Sequence, residues 1–274
     1  MPELPEVEVI RRGLENHLPG RKVVAVAGSN KKLRLPVPRK DLKRYILGAS
    51  FTGVDRRAKF LLLSMDNGAT LAVHLGMSGR FGIFPAGRPR AIHDHLRLRL
   101  DNTMELRFND PRRFGFIRVC APGINPVESM LSGAGPEPLG PDFTAAYLLK
   151  CAAGKERPLK NFLMDSRVVV GIGNIYACEI LFHAGITPQK KAGTVSPLQW
   201  QKVVQSCRHV LARAIASGGT TISDFVNESG KSGYFQLELQ VYGRQGEGCR
   251  NCSGTIVRKV MAGRATYFCP RCQK

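Results

Sequence analysis

Several things are missing from this sequence. No stretch approaches the roughly 18 consecutive apolar residues that a membrane-spanning helix needs. The start, Met1-Pro-Glu-Leu-Pro-Glu6, has neither the basic residues nor the apolar run of a secretory signal. There is no internal repeat and no low-complexity tract, and a hydrophobic fraction of 43% is too high for an intrinsically disordered chain. Membrane, secreted and disordered classes are therefore disfavoured, and a cytoplasmic protein touching no membrane is expected. The 274 residues suffice for one large or two modest domains.

Acidic side chains are scarce too: 21 Asp and Glu face 41 Lys and Arg, for a net charge of +20 and a pI near 10.1. A field of that sign attracts polyanions and speeds encounter with nucleic acid. A merely soluble basic protein or a ribosome-associated one carries the same sign, and charge does not separate DNA from RNA or an enzyme from a passive binder.

Of eight cysteines, Cys120, Cys151, Cys178 and Cys207 are scattered among apolar or helical sequence and are expected as small buried hydrophobes. The other four form Cys249-x-x-Cys252 and Cys269-x-x-Cys272, the spacing of a four-thiolate zinc site. With no histidine or open position evident, one structural Zn2+ is expected rather than a catalytic one. Two disulfides would suit a secreted chain instead.

Val7, Ile10, Leu14 and Leu18 recur at helical spacing, and Leu18-Pro-Gly20 ends that helix. Short strand signals follow at 23–27, 50–55, 60–65, 70–75, 96–100, 104–108 and 116–120, with Asn67-Gly68 and Asp101-Asn102 as hairpin turns. Leu96, Leu98 and Leu100 alternate with Arg97 and Arg99, the mark of a half-buried antiparallel strand. The pattern predicts a β-sandwich over residues 1–132 with a leading helix. Residues 133–141, rich in glycine and proline, read as a linker. Helical patterns then occupy 143–153 behind an Asp142 cap, 160–165 and 173–184. A long helix opens at Ser196-Pro197 and stops at Gly218-Gly219.

Val170-Gly-Ile-Gly-Asn-Ile-Tyr176 superficially suggests a dinucleotide fingerprint, but Tyr176 stands at the last glycine position and no βαβ context surrounds it. It reads better as a glycine-rich lead into a helix N-terminus, where N–H groups and the helix dipole suit a phosphate and Asn174 can donate to it. Asp110-Pro-Arg-Arg-Phe-Gly115 suits either a surface turn with a buried phenylalanine or a phosphate-contacting wedge into a base stack. Residues 229–234, Ser-Gly-Lys-Ser-Gly-Tyr, suit a mobile loop that closes over a ligand. At the N-terminus, Pro2 and the glutamates Glu3 and Glu6 suit a helix start. They equally suit a secondary-amine nucleophile, exposed by loss of Met1, with carboxyls beside it for proton transfer.

Taken together, Pro2-Glu-Leu-Pro-Glu-Val-Glu8, Arg57-Ala-Lys-Phe60, His74-Leu-Gly-Met-Ser-Gly79, Asp110-Pro-Arg-Arg-Phe-Gly115, Gly171-Ile-Gly-Asn-Ile-Tyr-Ala177, Gly219-Thr-Thr-Ile-Ser-Asp-Phe225, Tyr242-Gly-Arg244 and the four-cysteine finger with Arg264 closely resemble the motifs of bacterial formamidopyrimidine-DNA glycosylases. The resemblance runs from residue 2 to residue 274 in the expected order. It departs from the family at Phe60, where tyrosine is common, and at Cys178, where serine is common.

That resemblance implies an α+β multidomain fold. Its parts are an N-terminal β-sandwich with flanking helices (1–132), the linker (133–141), a helix–two-turns–helix domain (142–236) and a zinc-finger hairpin (237–274). It implies a monomer of the bacterial cytosol and nucleoid that acts on damaged double-stranded DNA, excising oxidised purines and then cleaving the strand. Pro2 would attack the sugar, Glu3 would open it, and Lys59 would contact phosphate and support catalysis. Glu6, Ser229 and Tyr234 would lie around the extruded base. Met77, Arg112 and Phe114 would fill the void in the duplex, with His74, Asn174 and Arg264 as further DNA contacts. Two other readings remain at this point: an endonuclease-eight-like glycosylase for oxidised pyrimidines, and a non-catalytic zinc-finger DNA-binding protein.

Overall fold

The periodic run after Pro2 folds as helix α1 (Leu4–Glu15), with Leu4, Val7, Ile10 and Leu14 buried along one face. Each such side chain removed from water contributes roughly 1.5–3 kcal/mol. The computed structural model describes residues 2–218, 225–226 and 239–274. By its internal contacts the chain divides into two compact units, one built on Met1–Ser132 and Ser217–Gln236, the other on Gly133–Ala216 and Leu237–Lys274.

In the first unit, strands β1 (Val23–Gly28), β2 (Phe51–Arg57), β3 (Phe60–Met65), β4 (Thr70–His74), β5 (Arg80–Pro85), β6 (Asp94–Leu100), β7 (Met104–Asn109) and β8 (Phe116–Cys120) are joined by the short strand β9 (Phe225–Val226). They form a five-stranded sheet, β1-β6-β7-β5-β9, and a four-stranded sheet, β2-β3-β4-β8. Among the described residues, all strand pairings are antiparallel except that of β5 with β9, where Phe81 pairs with Phe225. Leu96, Leu98 and Leu100 are buried, as their alternation requires, and join a core that includes α1 and both sheets.

Strand β5 and the segment from α2 (Arg39–Asp41) through the π-turn Leu42–Ile46 carry no clear signal in the sequence. In β5 the glycine is the cause: a Cβ on Gly82 would lie 2.4 Å from the Phe84 ring, so the strand gives up a β-forming residue for packing. A short helix, α3 (Pro126–Leu131), capped by the Asn125 side chain, precedes Ser132 and was likewise unexpected.

The second unit holds α4 (Ala145–Ala152), α5 (Leu159–Leu163), α6 (Asn174–His183) and α7 (Pro197–Ala216), then the hairpin β10 (Val257–Met261) and β11 (Arg264–Phe268). Ser196 caps α7 as expected: its Oγ accepts from the Gln199 N–H at 3.3 Å, and the Gln199 side chain accepts from the Ser196 N–H at 3.1 Å. The cap of α4 is not Asp142 but Thr144, whose Oγ1 accepts from the Tyr147 N–H at 3.1 Å. Trp200, Tyr176, Phe143 and Phe162 fill the helical core. A smaller cluster under the terminal hairpin contains Val241, Ile256, Cys249 and Cys269. Among the described residues, no helix is long and apolar enough to cross a membrane.

Candidate functional site

The N-terminal turn is tied from within. Glu3 caps α1 in a reciprocal box: its carboxylate accepts from the Glu6 N–H, and the Glu6 carboxylate accepts from the Glu3 N–H at 2.8 Å. Both glutamates are buried, as is Pro2. The helix-start reading thus holds for Glu3 at the cap and for Pro5 and Glu6 in the first turn, and Pro2 directly precedes this capped turn.

From α1 a strut runs to the next candidate. Arg56 on β2 donates to Glu8 at 3.0 Å and to the Ala58 carbonyl at 2.9 Å. Burial opposes ionisation of Glu8, but hydrogen bonds from Arg12 and Arg56 and the Arg11 charge hold its pKa below the usual carboxylate value. The β2–β3 turn is Ala58-Lys59, with Ala58 at φ +56°, a left-handed conformation uncommon for a residue other than glycine. That turn places Lys59 at the hairpin tip.

Lys59 acts electrostatically on His74, at the end of β4. The His74 ring meets Phe60 edge-on at 4.9 Å and lies parallel to Phe116 at 5.7 Å. Burial, then the Lys59 and Arg34 charges, push the His74 pKa down to about 4. Its Nδ1 accepts from the Gly76 N–H at 3.0 Å, so the neutral ring carries its proton on Nε2 and can donate to an anion. Arg34, which the sequence does not single out, joins this group: its N–H donates to the Gly115 carbonyl at 3.0 Å and its guanidinium lies 5.9 Å from the Phe116 ring.

The loops 75–79 and 110–115 lie backbone against backbone. A Cβ on Gly76 would fall 2.3 Å from the Gly115 nitrogen and the Phe114 carbonyl carbon. These loops present Met77 and Phe114, 40% and 47% exposed, with the Arg112 guanidinium 5.0 Å over the Phe114 ring. Phe114 is therefore not the buried phenylalanine of a surface turn. An exposed aromatic and thioether beside a guanidinium suit insertion into a base stack.

The second unit carries its own cations. Helix α6 begins at Asn174 behind Gly173, with no side-chain cap. Asn174 Nδ2 donates to the Ala265 carbonyl at 2.9 Å, while its buried Oδ1 has no partner among the described residues. Lys160, also missed in the sequence, is fully buried and donates to Thr266 Oγ1 at 2.7 Å and to the Ala265 carbonyl at 3.3 Å. Both side chains grip β11 just beyond Arg264, which stands exposed after the Ala262-Gly263 turn. Positive φ at both turn residues, +47° and +72°, matches a type I′ hairpin.

At the base of that hairpin, the Sγ atoms of Cys249, Cys252, Cys269 and Cys272 lie within 4.8 Å of one another. Their closest approaches are 3.8 Å (Cys249–Cys272), 3.6 Å (Cys252–Cys269) and 3.5 Å (Cys252–Cys272). A tetrahedron with bonds of about 2.3 Å has edges of about 3.8 Å, so the donors fit one zinc ion. All eight cysteines are free of disulfides. N–H groups of Asn251 and Gly254 approach Cys249 and Cys252 at 3.5 and 3.3 Å, favouring thiolates. Glu179 of α6 holds the segment leading into the finger by accepting from the N–H groups of Gln240, Val241 and Tyr242 at 2.8–3.0 Å. The expected base-contacting residues Ser229 and Tyr234 lie outside the described residues.

The family model for the formamidopyrimidine-DNA glycosylase N-terminal domain matches residues 1–117, that for the formamidopyrimidine-DNA glycosylase H2TH domain matches 134–226, and that for the zinc finger found in FPG and IleRS matches 246–274. A curated relative from Syntrophotalea carbinolica, named formamidopyrimidine-DNA glycosylase, is 46% identical over 274 residues and covers all of both chains. The Lactococcus lactis formamidopyrimidine DNA glycosylase, solved non-covalently bound to DNA containing an AP site, superimposes with a TM-score of 0.88 at 32% identity over 99% of each chain. MutM in complex with DNA containing carbocyclic 8-oxo-G does so with a TM-score of 0.89 at 32% identity over all of both chains. On this evidence of three successive domain models and full-length relatives, the chain belongs to the formamidopyrimidine-DNA glycosylase family.

Proposed function

We propose that the protein is a bifunctional DNA glycosylase and AP lyase of base excision repair, removing oxidised purines such as 8-oxoguanine and formamidopyrimidines from duplex DNA. The observation that carries this is the N-terminal capping box, a buried Glu3–Glu6 pair directly after Pro2 in sequence, in a chain similar over its whole length to enzymes solved on DNA with an AP site or carbocyclic 8-oxo-G. The four-part division 1–132, 133–141, 142–236 and 237–274 serves this function, and the enzyme works as a monomer in the bacterial cytosol and nucleoid.

A base inside a duplex is out of reach at its sugar carbon, so the nucleotide must leave the stack, at a cost of a few kcal/mol. Phe114, Met77 and Arg112 offset that cost by occupying the space left behind. Lys59, His74, Asn174 and Arg264 hold backbone phosphates, which fix position without reading sequence. His74 does so as a neutral Nε2–H donor. Glu6, Ser229 and Tyr234 surround the extruded base.

Removal of Met1 exposes the Pro2 secondary amine, whose kind titrates near pH 8 (~7.7–8.0), leaving a useful neutral fraction at pH 7. Its lone pair attacks C1′, the damaged base leaves with the glycosidic electron pair and takes up the proton the amine gives up, and the C1′–O4′ bond then opens as Glu3 gives a proton to O4′. The resulting iminium acidifies C2′. Loss of that proton expels the 3′ phosphate by β-elimination, and a second elimination expels the 5′ phosphate. Cys249, Cys252, Cys269 and Cys272 would hold one zinc ion, which would crosslink the finger and stabilise its fold.

Borohydride trapping on a duplex with 8-oxoguanine opposite cytosine, followed by peptide mass analysis, tests this reading. An adduct at Pro2 is expected. A strong preference for thymine glycol would turn the assignment to the pyrimidine-specific relatives. Binding without any adduct, and a Pro2→Gly variant indistinguishable from the parent, would leave a DNA-binding protein without catalysis.

A further inference from the structure

Two exposed loop tips, Met77 and Arg112–Phe114, are asked to enter the duplex together. Loops ordered only on binding would lose conformational entropy at that moment. Here they are already locked. Asp110 is fully buried, and its carboxylate accepts from the Ser78 hydroxyl at 2.5 Å and from the Gly115 N–H at 2.8 Å. The Ser78 Oγ in turn accepts from the Arg112 N–H at 3.2 Å. One carboxylate and one hydroxyl therefore bind both loops, through charge-assisted bonds stronger than neutral ones. The Asp110 carbonyl is held by His95 Nε2 at 3.0 Å and by the Arg113 N–H at 3.3 Å, and Arg113 takes φ +59° where the chain turns toward Phe114. The Gly76 N–H continues the connection to His74 Nδ1.

We propose that Asp110 and Ser78 are positioning residues that join the Met77 and Phe114 loops into one rigid wedge, linked through Gly76 to the phosphate-holding His74, so that phosphate grip and wedge insertion occur as a single event. This rests on the glycosylase reading above. Neither residue touches the reacting atoms. Ser78 acts by holding Arg112 and Asp110, and Asp110 by holding Gly115 and Ser78.

The test compares the full-length parent with Ser78→Ala, Ser78→Thr and Asp110→Asn. Each is assayed for single-turnover excision from an 8-oxoguanine duplex, for fluorescence of a 2-aminopurine beside the lesion, and for borohydride trapping on a single-stranded abasic oligonucleotide, which requires no wedge. Ser78→Ala is expected to slow duplex excision about tenfold, the rate equivalent of a lost hydrogen bond to a charged group. It should also reduce the 2-aminopurine change, with single-strand trapping and KM near the parent values. Ser78→Thr, which keeps the hydroxyl, should restore excision to within about twofold, and Asp110→Asn, which keeps shape but loses charge, should fall between them. Parental excision and fluorescence in Ser78→Ala would overturn the inference. So would a fall in duplex excision matched by an equal fall in single-strand trapping, which marks general damage. A parent that excises no 8-oxoguanine would overturn the functional reading itself, and this inference with it.

Discussion

Two hairpin tips each present one cation: Lys59 between β2 and β3, and Arg264 between β10 and β11. Both turns use left-handed backbone, at Ala58 in the first and at Ala262 and Gly263 in the second. What supports them differs. Strands β2 and β3 lie in a four-stranded sheet and contribute Phe51, Val54, Leu61, Leu63 and Met65 to the large core. No residue of β10 is buried, and Val260 is 62% exposed. The cluster beneath has six buried residues, of which Cys249 and Cys269 are metal ligands. An isolated two-stranded hairpin is marginal in water. The first tip is therefore held by apolar burial, and the second by thiolates together with Lys160, Asn174 and Glu179.

The sharpest way to break that comparison is to remove the metal. Cys252→Ser, or a strong chelator, should release zinc and unfold the finger, because a structural site contributes on the order of 10 kcal/mol to a fold with little core of its own. Hydrogen exchange should rise across residues 241–274 and stay low in β2–β4. With Arg264 no longer presented, affinity for an abasic duplex should drop about 10–100-fold, the worth of a charged hydrogen bond. A metal-free hairpin with parental protection and affinity would show that burial supports both tips alike.

The next largest effect is expected from Gly76→Ala. The position has φ +66°, and a Cβ there meets the backbone of Phe114 and Gly115, which cannot move without displacing the wedge. Left-handed strain and overpacking together should destabilise the first unit by about 2–4 kcal/mol in urea unfolding.

These two sites also show what the sequence discloses. The finger is legible because metal ligands must be specific residues at fixed short spacing, so Cys249-x-x-Cys252 and Cys269-x-x-Cys272 speak for themselves. The Ser196-Pro197 cap and the alternation of Leu96, Leu98 and Leu100 are legible because they are local. The interlock at Gly76 is not, because it joins residues 39 positions apart through backbone. Nor are Lys160 and Asn174 legible as grips on β11, since the partner they share is the carbonyl of Ala265, about 100 residues away, and a carbonyl has no sequence signature. The pairing of β5 with Phe225 and Val226 is hidden for the same reason. The strand-rich first part, the helical second part and the zinc ligands were thus readable from pattern and the helix–two-turns–helix domain from the resemblance, whereas the supports that aim Lys59, Phe114 and Arg264 required the folded chain.

A smaller effect should appear on acidification. His74 has a folded pKa of about 4 against an ordinary value of 6.5, so the unfolded chain binds its proton first. The stability this group contributes is complete above pH 6.5 and is lost as pH falls through 4, by about 3 kcal/mol at most. The first unit should unfold more readily at pH 5 than at pH 7. A His74→Gln variant, which does not titrate, should show a shallower slope. An unchanged slope would mean that this ring is solvated in solution.

The smallest effect belongs to the second tip. Gly263 has φ +72°, close to that of Gly76, but nothing lies within 4 Å of where its Cβ would stand. Gly263→Ala therefore meets only the left-handed penalty, about 1 kcal/mol, partly offset by a less flexible unfolded chain. Zinc retention and DNA affinity should be close to parental, and hydrogen exchange at β10–β11 should rise only slightly. If Gly263→Ala instead released zinc, the turn would be as tightly constrained as the wedge loops, and the contrast between a tip held by packing and a tip held by metal would fail. If it proved as mild as expected beside a damaging Gly76→Ala, then equal backbone angles with unequal consequences would locate the difference in what the backbone touches.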